Sequence, residues 1–231
     1  MSKLENKMVG ATDKKLKLKI CGMRDEDNLK SISAFQPDFF GFIFYEKSPR
    51  FIGEMDSQIL EKLPSSVKKV GVFVNPEFEF LCKNISKYQL DLVQLHGKET
   101  PEFCQRLKTK FEDKPGIIKA FSVGDEFDFT TLNPYEAYCD FFLFDTKGKN
   151  YGGNGVTFNW DILKDYKSDL PFFLSGGIEP DHVQMIKNLN LPNLFALDIN
   201  SKFEISPALK DADKIKKFVN QLWQEGSNPS Y

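Results

Sequence analysis

Cysteine is scarce in this sequence, and its four copies are far apart. They stand at Cys21, Cys82, Cys104 and Cys139, and no two of them form a Cys-x-x-Cys pair. Close cysteine pairs are typical of zinc sites and redox dithiols, and disulfide frameworks are typical of short secreted chains. The pattern therefore argues against all three and predicts free thiols in a reducing cytoplasm.

Motifs for metals and common cofactors are also missing. The two histidines, His96 and His182, are far apart in the sequence, and there is neither a His-Glu-x-x-His run nor an EF-hand loop. Nucleotide-binding glycine motifs of the Walker and Rossmann types are absent as well. We therefore expect no metal and no cofactor, and a substrate that reacts with acid and base side chains alone.

No charge of one sign dominates, and no long hydrophobic run occurs. The chain has 31 basic and 33 acidic residues, a net charge of -2, which argues against a nucleic-acid partner because such partners need a strongly basic face. No stretch reaches the roughly 18 apolar residues of a membrane span. Residues 1–15 lack the apolar core of a secretion signal. We expect a cytoplasmic protein with no membrane contact.

The sequence contains enough apolar residues to form one sizeable hydrophobic core. Hydrophobic residues make up 41% of the 231 positions, and 23 of them are Phe. Several short runs are apolar throughout, which is typical of strands buried on both faces of a parallel sheet. Eight runs are candidate strands: residues 16–21, 39–45, 69–74, 91–95, 116–121, 141–145, 171–175 and 194–199.

Segments with helical spacing of apolar residues lie between these runs. Thr100 and Pro101 form an N-cap followed by proline at the first helical position, and Glu179-Pro180 is interpreted in the same way. The candidate helices are residues 27–34, 55–63, 77–87, 101–110, 160–166, 181–189 and 213–222, with a further possible helix near 126–138.

Eight strand–helix units favour the α/β class and a single (β/α)8 TIM barrel over an open doubly wound sheet. We expect the barrel to span residues 16–231, after a flexible N-terminal extension over residues 1–15.

Polar residues gather where the predicted strands end, which is where barrel enzymes place their active sites. Cys21 closes the first strand, His96 follows the fourth, and Asp145 and Asp198 stand at the ends of the sixth and eighth. Each has a plainer alternative: a buried cysteine is often a small hydrophobe, and an aspartate can cap a loop. Their accumulation at one end of the barrel favours an active site.

Two glycine clusters follow adjacent strands. One contains Gly153 and Gly155, and the other is Gly176-Gly177, just before a predicted helix. Backbone N–H groups in such turns can bind a phosphate, and barrels often bind one after strands 7 and 8. Ordinary turns are the alternative, but two clusters side by side favour a phosphorylated small-molecule substrate.

These motifs together resemble those of phosphoribosylanthranilate isomerases, the family that acts in tryptophan biosynthesis. The resemblance runs from about residue 16 to the end and includes every strand except the fifth. It is carried by residues 17–24, 41–44 with 48–52, 70–75, 93–97, 143–146, 152–155 with Phe158 and Trp160, 174–178, and 198–201 with Glu204, Lys210 and Asp211.

The resemblance implies an isomerase that turns N-(5-phosphoribosyl)anthranilate into an aminoketose by an Amadori rearrangement. It assigns the base to Cys21 and the acid to Asp145, and it implies a monomer or a homodimer. Substrate contacts are implied for Arg50, which would hold the anthranilate carboxylate, and for Gln94, His96 and Asp198. Phosphate contacts are implied for Gly153, Gly155, Gly176, Gly177, Asn200 and Ser201.

Two positions depart from the family pattern, and two competing functions are weighed. Asn154 stands where the family has Thr, and Lys202 stands where it has Gly. Lys202 would either bind the phosphate or point to solvent, and we favour solvent. The histidine-pathway isomerase would need an aspartate where Cys21 stands, and a non-catalytic phosphate binder would have no use for both Cys21 and Asp145. His182 is expected at the surface.

Overall fold

The computed structural model describes residues 15–112, 114–146 and 160–223. In these ranges the eight apolar runs form eight parallel strands. They are β1 Lys17–Cys21, β2 Phe39–Ile43, β3 Lys68–Phe73, β4 Leu92–Leu95, β5 Gly116–Val123, β6 Phe141–Thr146, β7 Phe172–Ser175 and β8 Leu194–Ile199.

The strands close into a barrel in chain order, which confirms the predicted TIM barrel. Closure joins the first strand to the last, with Lys19 of β1 opposite Asp198 of β8. The predicted flexible extension lies outside the described residues, except for Lys15, and Gly153 and Gly155 lie outside them too.

Six α-helices cover the described part of the barrel. They are α1 Glu26–Ser33, α2 Ser57–Glu61, α3 Phe78–Tyr88, α4 Pro101–Phe111, α5 Val183–Lys187 and α6 Ala212–Trp223. Thr100 caps α4 as predicted, since its side chain accepts a hydrogen bond from the N–H of Phe103 at 3.3 Å. A two-stranded hairpin, β9 Glu204–Ser206 and β10 Leu209–Lys210, follows the 3-10 turn Ser201–Phe203.

Three helix predictions are wrong in type or extent. The segment near residues 126–138 forms a 3-10 helix over Phe129–Tyr135, in which Pro134 has no N–H to donate to an α-helical ladder. Residues 160–166 give a 3-10 helix over Trp160–Asp165. Glu179-Pro180 does not begin α5, which starts only at Val183 and has no side-chain cap.

Two apolar layers hold the barrel. The outer layer packs between strands and helices and contains Leu18 and Ile20 of β1. The inner layer is a cluster of aromatic rings near the start of the strands, where Phe173 lies 5.4 Å from the rings of both Phe39 and Phe141. These rings fill the N-terminal half of the barrel interior, so space for a ligand remains in the C-terminal half. Within the described ranges, no helix combines the length and apolarity needed to cross a bilayer.

Candidate active site

A cavity of about 340 Å³ opens at the C-terminal ends of the strands, a size that suits a small-molecule ligand. Every predicted site residue within the described ranges lines it. These are Cys21, Arg50, Gln94, His96, Asp145, Gly176, Gly177, Asp198, Asn200 and Ser201. The barrel therefore gathers residues that are up to 180 positions apart in sequence around one cavity.

Cys21 ends β1 with its thiol toward the cavity and is 5% exposed. The neighbouring strand makes room for it: a Cβ at Gly41 would lie 2.8 Å from the Cys21 Sγ and 3.0 Å from its Cα. Gly22 then turns the chain away at a φ of +77°, a conformation that favours glycine. Burial raises the pKa of the Cys21 thiol, while the nearby Lys19 ammonium opposes that rise.

Lys19 and Asp198 form an ion pair beneath the cavity. The Lys19 Nζ lies 2.8 Å from Asp198 Oδ2, and the two side chains are 0% and 5% exposed. Burial raises the pKa of Asp198, and Lys19 counteracts this. The other carboxylate oxygen of Asp198, Oδ1, is buried and has no hydrogen-bond partner among the residues that the structure describes, and the same holds for Oε1 of Gln94. Both residues line the cavity, so these oxygens are acceptors available to a ligand.

Asp145 stands at the end of β6 beside His96. The His96 Nε2 lies 3.5 Å from Asp145 Oδ2, and the other ring nitrogen, Nδ1, lies 2.7 Å from the amide nitrogen of Gln94. If that amide donates to Nδ1, the His96 ring carries its proton on Nε2 and directs it toward Asp145. Asp145 is 25% exposed at its side chain and can therefore meet a ligand.

Arg50 is fixed by Glu204. The Arg50 Nε and Nη2 approach the Glu204 carboxylate at 2.9 and 2.7 Å, and this bonding raises the pKa of the guanidinium. Lys210 adds contacts of 2.7 Å to Glu204 and to Asn200 Oδ1. Although burial opposes ionisation of Glu204, the bonds from Arg50 and Lys210 lower its pKa, so it remains a carboxylate.

The end of β7 has room only for glycine. Gly176 adopts a φ of +86°, and a Cβ there would collide with the backbone of Thr146 on β6. The Thr146 hydroxyl lies 2.9 Å from the carbonyl of Ser175 and 3.1 Å from the indole nitrogen of Trp160. The turn is therefore held against the cavity, beside the turn after β8 that contains Asn200 and Ser201.

Lys202 lies on the rim of the cavity and is engaged with another side chain. Its ammonium lies 2.6 Å from Glu179 Oε1, and its side chain is 54% exposed. The expectation of an exposed lysine is met, with the addition of a partner that the sequence did not indicate. His182, expected at the surface, is half-buried: its ring packs against Trp160 and its Nδ1 accepts a hydrogen bond from the N–H of Glu179.

One group of described residues offers metal-ligand atoms close together, namely Glu179, Asp181 and His182. The group lies outside the lining of the cavity, and two of its members already have partners, Lys202 for Glu179 and a backbone N–H for His182. It gives no reason to place a metal in the site.

Sequence reasoning missed several residues of the site. Tyr45, Ser48 and Ser175 also line the cavity, and so do the apolar residues Ile43, Val72, Val74 and Ile178. Ile43, Val72 and Val74 alternate with outward-facing residues at strand ends, so the two-residue period of a strand could have identified them. Lys19 and Glu204 belong to the motifs that carry the family resemblance, but the sequence assigns them no role because their burial depends on distant partners.

The chain is similar to a set of proteins with one shared name. A family model described as "N-(5'phosphoribosyl)anthranilate (PRA) isomerase" matches residues 18–221. The N-(5'-phosphoribosyl)anthranilate isomerase of Parabacteroides distasonis is 44% identical over 207 residues, covering 89% of this chain and 92% of that protein.

Solved structures of proteins with this name are similar to the chain as well. A crystal structure of phosphoribosyl anthranilate isomerase in complex with reduced 1-(o-carboxyphenylamino)-1-deoxyribulose 5-phosphate superposes with a TM-score of 0.75 at 32% identity, covering 90% of this chain and 98% of that one. A structure of mutually generated monomers of the dimeric enzyme from Thermotoga maritima gives 0.73 at 33% identity, with the same coverage.

Proposed function

The chain belongs to the N-(5'-phosphoribosyl)anthranilate isomerase family, and from this we propose that Cys21 is the base and Asp145 the acid of its isomerisation. The enzyme converts N-(5-phosphoribosyl)anthranilate into 1-(o-carboxyphenylamino)-1-deoxyribulose 5-phosphate in tryptophan biosynthesis. The observation that carries the proposal is that a thiol and a carboxyl group on different strands face one cavity, together with an ordered guanidinium.

The reaction begins with an acid and a base that act at different atoms. Asp145 gives a proton to the ring oxygen as the bond between that oxygen and C1′ breaks, and the anilino nitrogen supplies the electron pair of the new C1′–N double bond. The Cys21 thiolate then takes the proton from C2′, and the freed pair forms the C1′–C2′ double bond of an enolamine. The enolamine becomes the aminoketose when C1′ takes up one proton and the 2′ hydroxyl releases one, so the substrate gains and loses no proton overall. The proton that Cys21 has taken up and the one that Asp145 has given balance in the same way, so both groups return to their starting states.

The placement of the two groups suits this sequence. Cys21 ends β1 and Asp145 ends β6, with β7 and β8 between them around the barrel. A ligand in the cavity therefore meets the acid and the base from different sides. The His96 ring supports the acid, because its Nε2 lies 3.5 Å from Asp145 Oδ2 and, in the tautomer with the proton on Nε2, directs that proton toward the carboxylate that remains after proton transfer.

Binding of the remaining substrate groups follows from the free donors and acceptors. Since Nε and Nη2 of Arg50 face Glu204, we assign Nη1 to the anthranilate carboxylate, a pairing that suits a planar guanidinium. The unpartnered oxygens of Asp198 and Gln94 would accept hydrogen bonds from ribose hydroxyls.

The phosphate is assigned to the turns after β7 and β8. Gly176, Gly177, Asn200 and Ser201 line the cavity after the neighbouring strands β7 and β8, and backbone N–H groups of such turns bind anions. Gly153 and Gly155 are proposed for the same role, although they lie outside the described residues.

Assembly and location complete the proposal. The Thermotoga maritima relative has been obtained as a dimer and as monomers. We propose a monomer or a homodimer for this chain, which analytical ultracentrifugation tests, and a cytoplasmic location, which cell fractionation tests.

The function is tested by complementation of a tryptophan auxotroph that lacks this isomerase. The wild-type chain should restore growth without tryptophan, and Cys21→Ser and Asp145→Asn should not, at matched protein levels. A strain that lacks the histidine-pathway isomerase serves as the specificity control and should not be rescued. Failure of the wild-type chain, expressed and folded, to rescue the tryptophan auxotroph would refute the assignment.

A further inference from the structure

Lys19 is buried directly beneath the proposed base. It lies two residues before Cys21 on β1, so both side chains point to the same face of the strand, into the barrel. Its side chain is 0% exposed, its ammonium lies 2.8 Å from Asp198 Oδ2, and it is close enough to Cys21 for the two groups to affect each other's ionisation. The aromatic cluster around Phe173 fills the barrel on the side opposite the cavity.

A buried lysine at this position calls for a functional explanation, because removing an ammonium from water carries a desolvation cost that an ion pair often fails to recover. Apolar residues fill the inner layer at the start of the strands, and a further one would close the core without this cost. The cavity above Lys19 supplies the reason, since a cation there acts on whatever ionises at the end of β1.

The ionised side chains around Cys21 have a net charge of one positive unit when Cys21 itself is a neutral thiol. Each ionised group that acts on the thiol, or that is paired with such a group, comes from a different element, and across the cavity His96 and Asp145 act on Asp198. The cations are Lys19 of β1, Arg50 after β2 and Lys210 of β10, and the carboxylates are Asp198 of β8 and Glu204 of β9. A thiolate at Cys21 makes this group neutral.

We propose that Lys19 is a positioning residue for the isomerisation, whose ammonium, held by Asp198, supplies the positive charge against which Cys21 ionises to act as the base. The proposal rests on the function assigned above and adds a residue to it. Asp198 competes with the thiolate for the same cation, so it limits how far Lys19 favours ionisation.

The shifts in pKa agree with this arrangement. Burial alone would lower the pKa of Lys19, but Asp198 and Cys21 beside it raise the pKa above its ordinary value, so the ammonium stays charged at neutral pH. The pKa of Cys21 lies above its ordinary value because burial raises it and Asp198 raises it further, and Lys19 is the largest influence that lowers it. Without Lys19, the two largest remaining influences on this pKa are burial and Asp198, and both disfavour the thiolate.

The test measures ionisation of Cys21 directly. The rate of alkylation of Cys21 by iodoacetamide is followed by mass spectrometry of its peptide across pH 6 to 11 (roughly the range in which thiols titrate). Lys19→Met keeps the length of the side chain and removes the charge. The rate profile should move to higher pH by about one unit or more, with a loss of kcat/KM of about tenfold or more at neutral pH.

Lys17→Met is the matched control. Lys17 lies on the same strand, is ion-paired with Asp38, and has a side chain that is 42% exposed, so its loss should leave the alkylation profile in place. An unmoved profile in Lys19→Met would overturn the proposal, and so would an equal shift in Lys17→Met.

A second comparison keeps the test decisive if Lys19→Met does not fold because Asp198 is left unpaired. Asp198→Asn frees Lys19 for the thiol and should move the profile to lower pH, and Lys19→Met/Asp198→Asn should move it back up. Coincident profiles for these two proteins would overturn the proposal. A Cys21→Ser enzyme with wild-type turnover would instead refute Cys21 as the base, whatever the alkylation profiles show.

Discussion

The guanidinium of Arg50 is held by the carboxylate of Glu204 through contacts of 2.7 to 3.1 Å. Arg50 follows β2 and Glu204 begins β9, so the pair ties together two loops at the mouth of the barrel. The residue assigned to the anthranilate carboxylate is therefore ordered before a ligand arrives. An ordered guanidinium loses less side-chain entropy on binding than a free one.

Replacing Glu204 should weaken substrate binding more than it slows chemistry. Glu204→Gln removes the charge that orients Arg50, so we expect KM to rise about tenfold with kcat changed about twofold or less, because a carboxylate remote from the reacting carbons is held alike in ground and transition states. Steady-state kinetics measure both constants. Glu26→Gln, which removes an exposed pair with Lys62, is the control and should leave both unchanged. An unchanged KM in Glu204→Gln would show that Arg50 needs no orientation.

Asp145→Asn should separate binding from chemistry. The amide keeps the shape of the side chain but is too weak an acid to protonate the ring oxygen, so kcat should fall by about 100-fold or more. The Kd of reduced 1-(o-carboxyphenylamino)-1-deoxyribulose 5-phosphate, measured by calorimetry, should stay within about threefold of the wild-type value because the acid adds little to ground-state binding. A variant that keeps its kcat would place the acid elsewhere.

Gly41→Ala should disturb the base without touching the substrate. The new Cβ would lie 2.8 Å from the Cys21 Sγ and 3.0 Å from its backbone Cα, which cannot move aside as a side chain can. We expect a loss of stability of about 1–3 kcal/mol and a fall in kcat of about tenfold.

Gly116→Ala is the matched control for this variant. It meets the end of the Leu92 side chain at 2.9 Å, far from the cavity, and that side chain can rotate. Its kcat should stay near the wild-type value, whatever its stability. Equal losses of kcat in both variants would show that Gly41 has no special relation to Cys21.

Lys202→Gly restores the residue that the family pattern has at this position. The ammonium is engaged with Glu179 at the exposed rim, and exposed ion pairs contribute about 0–1 kcal/mol. We therefore expect KM to change by about twofold or less. Glu179→Gln frees the lysine and serves as the comparison. If Lys202→Gly raises KM several-fold, the lysine leaves Glu179 for the phosphate when substrate binds.

The fold was predictable because strands buried on both faces consist mostly of apolar residues, and several of them are apolar throughout. All eight predicted strands overlap the observed ones, and β8 coincides with its prediction. The errors lie in the connecting segments. Between β5 and β6 apolar spacing alone indicates a helix, but Pro134 and tertiary packing give a 3-10 helix.

The sequence predicts only those site residues whose position follows from the end of a strand. Cys21 and Asp145 follow apolar runs, so their position in a barrel follows from the sequence. Lys19 and Glu204 carry no such signal, because lysines and glutamates are mostly exposed. Their partners Asp198 and Arg50 are 179 and 154 positions away, and only the closed barrel brings each pair together.

The most direct measurement of the central claim is the turnover of N-(5-phosphoribosyl)anthranilate by purified Cys21→Ser beside the wild-type enzyme. A serine hydroxyl fits the same space but is a far weaker base than a thiolate, so kcat should fall by about 100-fold or more, with an unchanged circular dichroism spectrum and melting temperature. A folded Cys21→Ser enzyme with a kcat within about threefold of wild type would contradict the account.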